Sequence, residues 1–301
     1  MGRSALPAVV RIREVGPRDG LQAEEPVAAK ERAALVDALA EAGLQEIEAV
    51  SFVSPRAVPA MAGAAEVMAA LRRKPTVRYL ALVPNRKGAE LALDADVDGL
   101  TVTVSASPVY NERNVHMTID QSVSAVAEIA ERVAPRALPV DAVVSCAFGS
   151  PYEGDIAPVE VNRLGERLKE VGAMSLTFAD TTGMATPRRV HDLLEVVGPD
   201  VGLHLHDTRG TALVNAYAAL ERGVTRFDTA AGGIGGSPFA AGAGGNLATE
   251  DLVHLLDDLG VQTGVSLERV LAASALVTEM VAHPVPSRVA VAGPRDRSEP
   301  G

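Results

Sequence analysis

The chain predicts a (β/α)8 TIM barrel with a short C-terminal helical extension. Three observations lead there. Short β-rich runs alternate with amphipathic helical stretches from end to end. They recur at intervals of about 25 to 30 residues, the rhythm of a closed α/β barrel. The polar residues with chemical potential fall at or just past the C-terminal ends of different runs, which a barrel gathers into one ring and an open sheet spreads along a line.

In chain order the strand candidates are residues 9–15, 46–52, 77–83, 99–105, 140–146, 175–179, 201–206 and 226–230. Pro26 suits the first position of the first helix, Leu35 and Leu39 mark its buried stripe, and Gly43 stops it. The stretches 211–220 and 248–259 repeat the pattern and end at Gly223 and Gly260. Ser266 is an expected N-cap for a further helix. Residues 1–285 are therefore expected to form the catalytic barrel with its added helix, and 286–301 a flexible tail. No interdomain linker is visible.

Composition narrows the classes of function. The 301 residues carry a formal charge of −11, which disfavours a nucleic-acid or anionic-membrane surface. The lone cysteine, Cys146, excludes an intramolecular disulfide framework and a cysteine-rich zinc module, and fits a reducing compartment. Neither a signal-peptide pattern nor an apolar run of membrane-spanning length is present, so a cytoplasmic location is expected.

His204 and His206 lie two residues apart on an expected strand, so both imidazoles project to one face while Leu203 and Leu205 take the other. Two imidazoles converging beside an acid begin a divalent-metal site; two histidines hydrogen-bonded inside a barrel are the plainer reading. Arg18 and Asp19 follow the first strand through Gly16 and Pro17, a turn that aims both side chains at the barrel mouth, though a neighbouring Arg–Asp pair is often a surface ion pair. Ile47 and Ala49 flank Glu48 in strand pattern, which leaves Glu48 facing the interior and needing a partner, either Arg18 or a ligand of a metal.

Asp180 directly follows the sixth strand and reads as a site carboxylate or as a turn and helix-capping residue. Asn246 precedes a helix and reads as an N-cap neighbour or as a metal-shell amide. The glycine-rich run 232–245 follows the last strand instead of opening the first βαβ unit, and no Gly-Lys-Ser/Thr follows, so a lid over the mouth fits better than a nucleotide loop. Ser237 is its only hydroxyl and lacks a nucleophile-elbow context. His116, His191, His254 and His283 have no ligating spacing.

Read together, Arg13-Glu-Val-Gly-Pro-Arg-Asp-Gly-Leu-Gln22, Ile47-Glu-Ala-Val-Ser-Phe-Val-Ser-Pro55, Ser145-Cys-Ala-Phe-Gly-Ser-Pro-Tyr-Glu-Gly154, Asp180-Thr-Thr-Gly183, His204-Leu-His-Asp207 and Gly244-Gly-Asn-Leu-Ala-Thr-Glu-Asp251 resemble the 3-hydroxy-3-methylglutaryl-CoA lyase family. The resemblance implies Mg²⁺ or Mn²⁺ held by Asp19, His204, His206 and Asn246, and retro-Claisen cleavage of a 3-hydroxyacyl-CoA to acetyl-CoA and a keto acid. It implies that Arg18 meets charge on the thioester oxygen, with Glu48 and Asp180 orienting Arg18 and the metal shell. It further implies an acyl-CoA thioester partner and a homodimer.

The departures cluster at the mouth. Ser237 stands where the family has a cysteine thought to protonate the enolate, and a serine hydroxyl is a far weaker acid than a thiol. Arg209 and Thr211 replace a tyrosine and a glutamine, and Pro108 a glutamate. A lyase for a related substrate such as citramalyl-CoA, a condensing synthase, and a barrel that binds metal or acyl-CoA without catalysis remain as alternatives. Whether such an enzyme serves leucine degradation or a specialised route is written in no residue.

Overall fold

The computed structural model describes residues 6–236 and 244–295. Eight parallel strands close in sequence order: β1 (Arg11–Glu14), β2 (Glu46–Ser51), β3 (Arg78–Leu82), β4 (Gly99–Ser105), β5 (Val140–Ser145), β6 (Ser175–Ala179), β7 (Gly202–His204) and β8 (Arg226–Thr229), which pairs back onto β1. All eight expected strands are present, six of them shorter by one to three residues. Residues facing the helices are the aliphatic ones, as in Ile47 and Ala49 of β2 and Leu203 of β7, all fully buried.

The helices form the outer ring: α1 (Ala29–Glu41), α2 (Ala64–Ala70), α3 (Arg86–Asp94), α4 (Pro108–Val115), α5 (Ile119–Val133), α6 (Pro158–Glu170), α7 (Pro187–Val197), α8 (Ala212–Glu221) and α9 (Thr249–Asp258). Leu35, Val36 and Leu39 of α1 are buried as the stripe requires. Pro26 does not open α1: Ala28 is the N-cap and the helix begins at Ala29, so the proline belongs to the preceding loop. Gly43 does end it, at φ +102°, with Gly264 so close that a side chain would collide. Both β4–α4 and α4–α5 junctions are capped, by Ser107 and by a Thr118–Gln121 capping box.

Beyond the barrel, Ser266 caps α10 (Leu267–Val281) as expected, accepting from the Arg269 N–H, and α10 packs along α1. The segment expected as a flexible tail holds a five-residue helix, α11 (Arg288–Ala292). Its start is fixed by Asp251 of α9, whose carboxylate accepts from Ser287 Oγ at 2.8 Å and Val289 N at 2.8 Å. Residues 296–301 of that tail lie outside the described residues. Among the described residues no helix is long and apolar enough to cross a membrane.

Candidate active site and metal centre

The turn after β1 carries Arg18 and Asp19 inward. Its residues wind once so that the N–H groups of Asp19 and Gly20 both reach back to Val15 O, at 2.7 and 3.3 Å. Such wide turns place consecutive side chains on one side and recur at functional sites. Arg18 Nε donates to Glu48 and Nη1 donates to Asp19 Oδ1 at 2.6 Å. The other oxygen of Glu48 accepts from Thr101 Oγ1. Burial alone would depress the Arg18 guanidinium, but Glu48 and Asp19 outweigh it and hold its pKa above the ordinary value.

Opposite, His204 and His206 converge as the alternation requires, with their Nε2 atoms 3.0 Å apart. Strand β7 itself stops at His204; His206 is held one step further by a bridge to Asn246. Both rings are buried, and Leu205 is fully buried on the far face. Burial and the neighbouring His204 push the His206 pKa down to about 3, so it is neutral and its lone pair is free to ligate. For His204, burial lowers the pKa but a hydrogen bond with Asp228 and the charge of Asp19 raise it on balance. The Asp228 contact, Nδ1 to Oδ2, is 3.3 Å.

Asn246 completes the ring. Its Nδ2 donates to Asp19 Oδ2 at 2.8 Å and to Ile234 O at 2.9 Å. Its side chain therefore serves the site and not the helix that follows, whose N-cap is Ala248. Burial raises the Asp19 pKa, yet Arg18, both histidines and Asn246 together bring it below the usual carboxylate range.

Asp19, His204 and His206 each offer a ligand atom within 4.8 Å of the others and could hold a metal ion. Asn246 Oδ1 and His206 Nδ1 are buried with no hydrogen-bond partner. A buried amide oxygen left unpaired beside two ring nitrogens aimed at each other is the arrangement a cation would resolve, and a carboxylate, imidazole and amide donor set suits a divalent ion.

Among the described residues the Asp180 side chain makes no hydrogen bond to this cluster, although its backbone N–H donates to His204 O at 2.8 Å. Its Oδ1 accepts from the Met184 and Ala185 N–H groups at 2.7 and 3.0 Å, so it caps the loop before α7 and touches neither Arg18 nor Asp19. Desolvation exceeds those hydrogen bonds and lifts its pKa to about 7, and Oδ2 is buried without a partner. The resemblance implies that Asp180 helps orient Arg18 and the metal shell; its side-chain hydrogen bonds match the turn-capping reading. Ser237 lies outside the described residues.

A cavity of about 850 Å³ opens beside the cluster, with Arg18, Asp19, Glu48, His204 and His206 on its wall. Its far side is apolar, built by Val126 and Ile129 of α5 and Val102 of β4, and Arg113 and His116 also face it. Nothing in the spacing of His116 had marked it. Sequence reading also missed Asp228, which no quoted motif contains, and gave no role to its partner Arg13, which opens the first motif. Cys146 is buried at the end of β5, and desolvation pushes its pKa up to about 12, which leaves it an inert thiol.

A polar cluster at the C-terminal mouth of a closed barrel, beside a cavity and with the donors of a metal site, defines a barrel enzyme of the metal-dependent type. Residues 9–277 match the HMGL-like family. The chain belongs to the hydroxymethylglutaryl-CoA lyase family and is a carbon–carbon lyase. It is 40% identical over 289 residues to hydroxymethylglutaryl-CoA lyase YngG of Bacillus subtilis, covering 94% of this chain and 96% of that one. A 3-hydroxy-3-isohexenylglutaryl-CoA/hydroxymethylglutaryl-CoA lyase of Pseudomonas aeruginosa is 40% identical over 293 residues, covering 95% and 98%. The structure of a hydroxymethylglutaryl-CoA lyase from Acinetobacter baumannii in complex with coenzyme A and 3-methylmalate superposes with a TM-score of 0.92 at 39% identity, covering 97% and 98%.

Proposed function

We propose that this enzyme cleaves 3-hydroxy-3-methylglutaryl-CoA, or a close 3-hydroxyacyl-CoA analogue, to acetyl-CoA and a keto acid such as acetoacetate. The observation that carries the reading is the meeting of Asp19, His204 and His206 at the cavity wall beside Arg18, with Asn246 hydrogen-bonded to Asp19 behind them. These four residues would hold Mg²⁺ or Mn²⁺. Such an ion, when bound, supplies Lewis-acid polarisation of substrate oxygens.

The remaining chemistry belongs to the chain. Glu48 and Asp19 occupy Nε and Nη1 of Arg18, which lines the cavity, and leave Nη2 without a hydrogen bond among the described residues. As the carbon–carbon bond breaks, negative charge moves onto the thioester oxygen, and a preset Nη2 donor there is worth about 3–4 kcal/mol. Glu48, itself fixed by Thr101, sets the plane of that guanidinium. Ser237 takes the place of the proton donor to the enolate carbon, and Asp180 holds the β6 loop at the mouth. The apolar α5 side of the cavity suits the pantetheine and acyl chain of a thioester. A homodimer in the cytoplasm fits the single buried cysteine and the family resemblance.

Purified protein supplied with Mn²⁺ and either hydroxymethylglutaryl-CoA or citramalyl-CoA should release acetyl-CoA from the former, with Ser237→Cys faster. Preference for citramalyl-CoA would reassign the substrate. Turnover of neither thioester by either protein would leave only the reading as a binding barrel.

A further inference from the structure

Inside the barrel, one layer below the mouth, an arginine on β1 links three other strands. Arg13 pairs in register with Asp228 of β8, and Asp228 with His204 of β7, so the three side chains are neighbours on the interior face. Arg13 Nε and Nη2 grip the two oxygens of Asp228 at 2.8 and 2.7 Å. Nη1 donates to Asp141 of β5 at 2.8 Å, and Nη2 also reaches Thr177 of β6 at 3.2 Å. Gly202 of β7 leaves room for this: a Cβ there would lie 2.6 Å from Thr177 Oγ1.

The consequence is directional. A two-point fork fixes the plane of the Asp228 carboxylate, which a single contact cannot do. Its Oδ2, held by Arg13, is also the oxygen 3.3 Å from His204 Nδ1. A carboxylate at Nδ1 keeps the ring proton there, turning the Nε2 lone pair toward His206 and Asp19. Asp141 shares the positive charge of Arg13, so the fork stays seated without drawing His204 itself into the pair.

We propose that Arg13 is a positioning residue for metal binding, acting through Asp228 to orient His204. The proposal rests on the reading of His204 as a metal ligand. It makes the strand layer beneath the mouth part of the metal site, with the ligand geometry set from β1 and delivered on β7.

The test measures Mn²⁺ affinity of the metal-free protein by electron paramagnetic resonance, with imidazole ¹⁵N spectra reporting the His204 tautomer. Arg13→Lys keeps the charge and removes the fork, so it should fold, weaken Mn²⁺ binding about 10- to 100-fold and lose the Nδ1-protonated signature. Asp228→Asn should weaken binding as much, and the double variant no more than Asp228→Asn alone, because one chain of contacts is broken in each. Arg13→Lys that lowers Tm yet binds Mn²⁺ as the parent does, with an unchanged tautomer, would reduce Arg13 to barrel packing and overturn the proposal. Mn²⁺ binding unaffected by His204→Ala would overturn both this proposal and the metal site it rests on, which separates the two failures.

Discussion

Two arginines five residues apart leave the same edge of the barrel and are used in opposite ways. Arg13 is consumed by the protein: Nε, Nη1 and Nη2 all end on side chains of β5, β6 and β8. Arg18 is held equally firmly by Glu48 and Asp19 but keeps one face toward the cavity. Both are buried, at 8% and 9% exposure, so burial alone does not separate a structural from a reactive guanidinium. What separates them is whether a donor is left over. In the Arg13 layer all three guanidinium nitrogens are answered, and at the mouth Arg18 Nη2, Asn246 Oδ1 and Asp180 Oδ2 are left open among the described residues. A rigid lower layer lets the upper one carry unpaired polar atoms without collapsing onto them.

That contrast can be broken by experiment. The largest effect is expected from Asp19→Ala, which removes the carboxylate shared by Arg18, Gln22 and Asn246. Turnover should be lost and excess Mn²⁺ should not restore it in a steady-state assay; near-normal activity would take Asp19 out of the site. Next comes Arg18→Gln, with an expected loss of about 10²–10³ in kcat. Its His204 tautomer should stay that of the parent, the reverse of the pattern expected for Arg13→Lys, because Arg18 contacts Asp19 and not Asp228. A matching loss of the Nδ1-protonated signature would erase the distinction between the two arginines.

A smaller effect, on stability, is expected at Glu14, which lies between them in the chain. Its carboxylate accepts from Gly16 N at 2.8 Å, Ala231 N at 2.9 Å and Thr249 Oγ1 at 2.6 Å, tying the Asp19 turn to the loop after β8. Burial raises its pKa from the ordinary 4.5 to about 7, against those hydrogen bonds, and nearby Glu250 adds to the rise. The folded protein therefore holds this proton more tightly than the unfolded chain does. That contribution is complete below the unfolded pKa and is lost as pH rises through the folded one. Thermal melts should show the parent losing stability between about pH 4.5 and 7, and Glu14→Gln losing less across the same window. Equal slopes would contradict the buried-carboxyl assignment. The smallest effect is expected from an exposed arginine of α6. Arg163→Ala removes an i,i+3 pair with Glu160 in which both side chains are more than half exposed, and Tm should not move measurably.

The barrel was legible because its signal is repeated in every unit. Each strand pattern, such as Ile47-Glu48-Ala49, shows which side chains face the helices, and eight repeats average out the errors at individual ends. Pro26 shows the limit: a favourable first-turn residue does not start a helix when the chain is still crossing from the mouth to the outer ring. At the site, Glu48 was legible because its neighbours fixed its face, and the two histidines because of their spacing. Arg13, Asp141 and Asp228 were not legible. In sequence, Arg11-Ile12-Arg13-Glu14 is charge on an edge, and the partner that makes Arg13 an interior residue lies 215 positions away. Asp180 shows the converse, since a motif can mark a position without saying which of its neighbours the carboxylate serves.

The most direct test of the site is a crystal of the protein grown with Mn²⁺ and measured at the manganese absorption edge. The expected result is one anomalous peak within bonding distance of Asp19, His204, His206 and Asn246, with Asp228 on the far side of the His204 ring. A peak elsewhere, or these four side chains dispersed around an empty mouth at saturating metal, would contradict it.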